Sequence, residues 1–211
     1  MLMEEKPLLM KTDNQNDCLL WLQLKQGNKN AFAQIYQAHI ASLISYGTKL
    51  CSDKEILKDN IQDLFIELWN SRENLAQPES VKFYLFKALR YKLIRAEKFI
   101  QLNAHSSILS DESDYNRFEL SAETEIINKE IADSRTSSLR KAIITLTKRQ
   151  QEAVQLRFYQ GFSNDQIAEL MQMNYQSVSN LLHTALYRIK NNLKSSPAFT
   201  TALLAAFHIF L

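Results

Sequence analysis

The chain has 211 residues, 45% hydrophobic and 23% charged, enough for one large or two small soluble globular domains. Three glycines and three prolines supply too few turns for a β-rich chain, and two cysteines, Cys18 and Cys51, make neither a disulfide framework nor a zinc site. The net charge of +2 conceals an uneven distribution: Val81 to Lys98 holds six Lys/Arg against one Glu, and Gln101 to Asp133 holds eight acids against two bases.

The opening "MLMEEKPLLMK" lacks the apolar core and small-residue cleavage site of a secretory peptide. With two reduced thiols it favours a cytoplasmic location. Residues 1–16 read as an N-terminal extension. From Asp17 to about residue 100 the pattern is helical almost throughout. In "DLFIELW" (Asp63 to Trp69), Leu64, Leu68 and the edge of Trp69 share one side, and Phe65 and Ile66 widen the apolar face. Pro78 interrupts the pattern and should lie between helices.

A helix is expected from about Val81 to Ile100. At about 100° per residue, Leu85, Phe86, Leu89, Leu93 and Ala96 fall together as a core face. Lys87, Arg90, Arg95 and Lys98 fall on the far side, interleaved with Phe83, Tyr84, Tyr91 and Ile94. Cations mixed with exposed rings suit single-stranded nucleic acid, where bases stack while charges hold the backbone. A solvated basic helix with aromatics at its margins fits the same pattern.

Residues 101–133 are rich in Ser, Asp and Glu with weak periodicity and read as an acidic linker. A second helical block occupies 134–194. Within it, Ser163 and Gln166 have capping-box spacing, and Ile167, Leu170 and Met171 give the following helix an apolar face. Gln172 to Asn174 form a turn, with Asn174 as the next N-cap. Gln172 stands where such a turn often has Gly, at a cost of about 1 kcal/mol for the left-handed conformation.

The next helix carries Val178, Leu182, Ala185 and Ile189 as a core stripe. Off that stripe lie Tyr175, Gln176, Ser177, Ser179, Asn180, His183 and Thr184, whose amides and hydroxyls can pair with base edges. Arg188, Lys190 and Lys194 follow, where phosphate contact is expected. The unit reads as a helix-turn-helix; an ordinary helical hairpin with a polar solvated face is the competing description.

Taken in order, these stretches resemble the sigma-70 family of bacterial transcription initiation factors, and most closely its extracytoplasmic-function branch. "AFAQIYQAHIASLISYGTKL" resembles the family's opening helix, "DNIQDLFIELWNSRENL" its polymerase-docking segment, and "VKFYLFKALRYKLIR" the segment that melts and reads the −10 element. The run from Leu139 to Leu193 resembles the domain that reads the −35 element. The likeness implies an all-α chain of two small helical domains, 17–100 and 134–194, joined by the acidic linker.

It also implies roles. Asp59, Gln62, Asp63, Glu67 and Trp69 would dock on core RNA polymerase. Lys87, Arg90, Tyr91, Lys92, Arg95 and Lys98 would hold the single-stranded −10 element. Tyr175, Gln176, Ser177, Ser179, Asn180, His183 and Arg188 would meet the duplex −35 element. The chain departs from the family at Tyr91, where Asn is frequent, and at Arg95, where Asp is frequent, so the −10 preference does not carry over. A membrane-bound anti-sigma factor is the implied regulatory partner. The apolar tail, 195–211, lies outside the pattern. As a helix "PAFTTALLAAFHIFL" would be about 22 Å long, short of the roughly 30 Å a membrane span needs. It could pack on a domain, dock on the anti-sigma partner or lie on a membrane surface.

Two other descriptions compete. A conventional helix-turn-helix regulator would carry a receiver or ligand domain upstream, and the first module lacks the alternating strands these need. A helical interaction protein needs neither a basic aromatic face nor a polar recognition helix. An enzyme is disfavoured: His39, His105, His183 and His208 are scattered without metal-ligand spacing, and no nucleophile motif stands out. Asp111, Glu112 and Asp114 read as linker charge. No metal, cofactor or small-molecule substrate is expected.

Overall fold

A computed structural model describes residues 8–104 and 133–193. Their regular structure is entirely helical, as expected, and the chain divides into two units, Met1–Leu109 and Ser110–Leu211. Most of the acidic linker and the apolar tail lie outside the described residues. Residues 101–104 continue a helix of the first unit, and Asp133 begins the first helix described in the second.

The first unit comprises α1 (Leu8–Lys25), α2 (Lys29–Leu50), α3 (Lys54–Asn70), a 3-10 turn at Arg72–Asn74, and α4 (Val81–Ala104). Helix α1 already starts at Leu8, inside the segment expected as an extension. No Gly or Pro interrupts Leu8 to Lys25, and Leu20, Trp21 and Leu24 are buried at its C-terminal end. Once that end is packed, propagation toward the N-terminus fixes one residue per added bond without a new nucleation step.

The caps follow from local chemistry. Asn28 accepts from the amides of Asn30 and Ala31, and Asp53 accepts from those of Glu55 and Ile56. Ser80 Oγ accepts from Phe83 N at the start of α4, with Pro78 outside the helix as its chemistry requires. Trp21, Leu24, Ile35, Leu43, Tyr46, Leu85, Phe86 and Leu89 form the core, and Tyr46 stacks on Phe86 at 5.0 Å. Burying each such side chain is worth about 1.5–3 kcal/mol before the cost of ordering. A buried pair, His39 Nε2 and Asp17 Oδ2 at 2.9 Å, ties α2 to α1. At Gly47 a Cβ would run into Leu57 Cδ1, so the missing side chain permits the close approach of α2 and α3.

The second unit comprises α5 (Asp133–Ile144), α6 (Lys148–Val154), a π-helical turn at Gln155–Tyr159, α7 (Asn164–Met171) and α8 (Tyr175–Asn192). Thr147 and Gln150 form a capping box at α6, and Ser163 and Gln166 form the expected one at α7. Asn174 caps α8 by accepting from Ser177 N at 2.7 Å. The turn between α7 and α8 closes with Met173 N donating to Ala168 O at 2.9 Å while Gln172 sits at φ 54°, ψ 49°. The expected left-handed glutamine is therefore present. Val178, Leu182, Ala185 and Ile189 are buried, as are Leu156 and Ile167 elsewhere in this unit.

Candidate nucleic-acid interface

On α3, Asp59, Gln62 and Asp63 are exposed along one stripe, and Ile66 joins them at 46% exposure. This corrects the expectation that Ile66 widens the core face: Leu64, Phe65 and Leu68 are buried, and Ile66 points to solvent between two carboxylates and the helix end. The signal lay in the spacing, since 59, 63 and 66 fall on one helical face. Trp69 is half-buried, packed on Phe32 at 5.3 Å with the Arg72 guanidinium 4.8 Å from its ring. Its ring therefore braces the end of α3 as well as bordering the stripe.

Glu67 points elsewhere. Lys92 Nζ donates to Glu67 Oε1 at 2.7 Å, so an expected docking carboxylate and an expected DNA-facing cation bridge α3 to α4. The Lys92 side chain is only 18% exposed. Both line a groove of about 420 Å³ with Asn60, Ala88, Tyr91, Arg95, Ala96 and Phe99.

Along α4, Lys87, Tyr91, Arg95 and Lys98 are exposed and Arg90 is half-exposed, which brings the expected basic face together. Tyr91 is 64% exposed, and Ile94 and Phe99 also face solvent. Phe99 lies one residue beyond Lys98, the last residue expected to hold the −10 element. Phe83 and Tyr84 are half-buried, against the expectation of an exposed aromatic row. The Tyr84 ring meets Trp21 edge-on at 5.1 Å. Burial pushes the Tyr84 hydroxyl above the usual tyrosine range, and the Glu67 carboxylate adds to the shift. Trp21 Nε1 also donates to Ala76 O at 3.0 Å, so α1 holds the loop that leads into α4.

On α8, Tyr175, Gln176, Asn180 and His183 are exposed and Ser177 and Ser179 half-exposed. Gln176 Nε2 donates to Asn180 Oδ1 at 3.1 Å, and Thr184 Oγ1 donates to Asn180 O at 2.7 Å. The first turn of the helix carries no carboxylate. An uncapped negative charge there would repel phosphate, whereas the free N-terminal amides favour it. Arg188 is exposed but also donates to Gln150 Oε1 at 3.3 Å, within the α6 capping box. It serves the packing of the unit as well as its surface. Lys194 lies outside the described residues. Among those residues no group of His, Cys, Asp and Glu could hold a metal ion, and no helix is long and apolar enough to cross a membrane.

Comparisons with known proteins agree with this geometry. The family model "Sigma-70, region 4" matches residues 136–189, from within α5 to Ile189 on α8. The chain is 24% identical over 152 residues to RNA polymerase sigma factor SigZ of Bacillus subtilis, covering 72% of this chain and 81% of SigZ. It is 19% identical over 175 residues to RNA polymerase sigma factor YlaC of the same organism, covering 80% and 95%. Among solved structures it resembles CnrH in complex with the cytosolic domain of CnrY, at 16% identity and a TM-score of 0.53, covering 86% of this chain and 99% of that one. It also resembles the sigma factor RpoE bound to the anti-sigma factor NepR from Bartonella quintana, at 19% identity and a TM-score of 0.52, covering 77% and 96%. At these identities the solved structures speak to the fold.

Proposed function

We infer, for a chain that belongs to the extracytoplasmic-function branch of the sigma-70 family, a promoter-specificity subunit that binds core RNA polymerase and directs transcription initiation. The observation that carries this is the coincidence of the region 4 match with a capped helix-turn-helix whose α8 exposes amides and hydroxyls at its N-terminal turns. The first unit supplies the other half of such a factor. Its α3 offers an acidic stripe and its α4 a basic, aromatic one, two surfaces with opposite charge and different partners.

In this reading Asp59, Gln62 and Asp63, with Ile66 one turn further along the same stripe, dock on a basic surface of core polymerase. Carboxylates steer the encounter and the isoleucine supplies apolar contact beside them. Lys87, Arg90, Tyr91, Arg95 and Lys98 take the displaced −10 strand, with cations on phosphate and the ring stacking on a base. Lys92 and Glu67 hold α3 and α4 in register beneath that strand. Tyr175, Gln176, Ser177, Ser179, Asn180 and His183 meet the −35 duplex, with Arg188 toward phosphate. The units at 17–100 and 134–194 are the two promoter-reading domains.

This chain does no covalent chemistry of its own and acts in the cytoplasm, with catalysis left to the polymerase. An anti-sigma factor is the regulatory partner by analogy with the complexes that CnrH and RpoE form. The docking assignment is tested by gel filtration of the protein with core polymerase. The native chain should co-elute, and Asp59→Lys with Asp63→Lys should weaken the complex at least tenfold. Undiminished binding by that double variant would move the docking surface off α3.

A further inference from the structure

We propose that Gln176 and Asn180 act as one unit that selects adenine at a single position of the −35 element. The proposal rests on the promoter-reading function above and narrows it to a base. The two side chains are exposed on successive turns of α8, and Gln176 Nε2 donates to Asn180 Oδ1 at 3.1 Å. That bond fixes the plane of each amide and removes rotamer freedom that base contact would otherwise have to suppress.

An amide held in this way offers one acceptor beside one donor. After accepting from Gln176, Asn180 keeps a second lone pair on Oδ1 and both hydrogens on Nδ2, a complete bidentate edge. Only adenine presents the matching pattern in the major groove, an N6–H donor beside the N7 acceptor. Guanine presents two acceptors, cytosine a lone donor, and thymine an acceptor with a methyl group. Exchanging oxygen and nitrogen in both amides reverses the bond without changing the conclusion. Asn180 then donates, and Gln176 keeps the complete edge. One amide reads and the other braces it.

The surroundings lack the usual readers of guanine and cytosine. No Lys or Arg occurs from Tyr175 to Tyr187, so the cationic side chains that most often read guanine O6 and N7 are absent from these turns. No Asp or Glu occurs there either, which removes the carboxylate that most often accepts from cytosine N4.

The test is transcription by holoenzyme, reconstituted from core polymerase and the full chain, on a promoter library with a randomised −35 element and a fixed −10 element. The native protein should prefer adenine at one position by roughly 5- to 150-fold, the range of one good bidentate contact. Gln176→Ala and Asn180→Ala should each flatten that same position, leave the rest of the −35 preference intact, and be no worse combined than singly. Unchanged thermal melting of the variants ties the effect to the contact. Flattening of two different positions, or a flattened position that preferred another base, would overturn the pairing while leaving promoter reading in place. An unchanged preference in both variants would overturn it too. A native protein that supports no promoter-dependent transcription at all would overturn the parent function along with it.

Discussion

Tyr84 and Trp21 show how single side chains set the surface of the first unit. Trp21 is fully buried, meets the Tyr84 ring and donates its indole N–H to Ala76 O. Trp21→Phe keeps an aromatic ring but leaves that carbonyl without its donor and a small void beside it. The expected cost is about 1–3 kcal/mol in denaturant unfolding, with faster amide exchange in the loop before α4. Tyr84 gives a pH signature. Its folded-state pKa is raised, so its contribution to stability is complete below the unfolded value near ~10 and is lost as pH rises through the folded one. Thermal melting should therefore fall above about pH 10 in the native chain and fall less steeply in Tyr84→Phe. Neither side chain was legible from its own helix. A projection of α4 alone places Tyr84 on the far side from the core, and the ring that meets it there, Trp21 of α1, is distant in sequence.

At the scale of the element, the helix-turn-helix has ends specified by nearby residues. The α7 capping box, the α8 N-cap and the core stripe from Val178 to Ile189 were all legible, because each depends on residues within a turn or two of one another. The left-handed Gln172 was legible for the same reason. Gln172→Gly should stabilise the second unit by about 1 kcal/mol, seen as a higher denaturation midpoint, because glycine adopts this conformation without a Cβ clash. A lower midpoint would mean that the glutamine side chain makes a contact worth more than the backbone strain. What the helical pattern hid was the pairing between elements: Lys92 with Glu67, Arg188 with Gln150, and the outward turn of Ile66. Periodicity assigns a face to a residue, but which neighbour covers that face is a tertiary fact.

In the whole molecule, the proposed labour divides between the two units. The basic α4 should act on the melted strand and α8 on duplex. Arg90→Ala with Arg95→Ala is therefore expected to reduce promoter opening, read by permanganate reactivity of −10 thymines, at least tenfold more than it reduces duplex protection at −35. Equal loss of both would remove this division. The partition into two helical modules was legible from composition, since a basic aromatic block, an acidic stretch and a polar recognition helix follow one another along the chain. The start of the first module was read too late, although Pro7 directly precedes α1 in the sequence and suits a helix start. The most direct measurement is run-off transcription from fragmented genomic DNA by core RNA polymerase with and without this protein. Discrete new start sites that depend on the protein and share elements near −10 and −35 are expected. Tight duplex binding by the protein alone, with no new transcripts, would contradict that expectation and make the chain a conventional helix-turn-helix regulator.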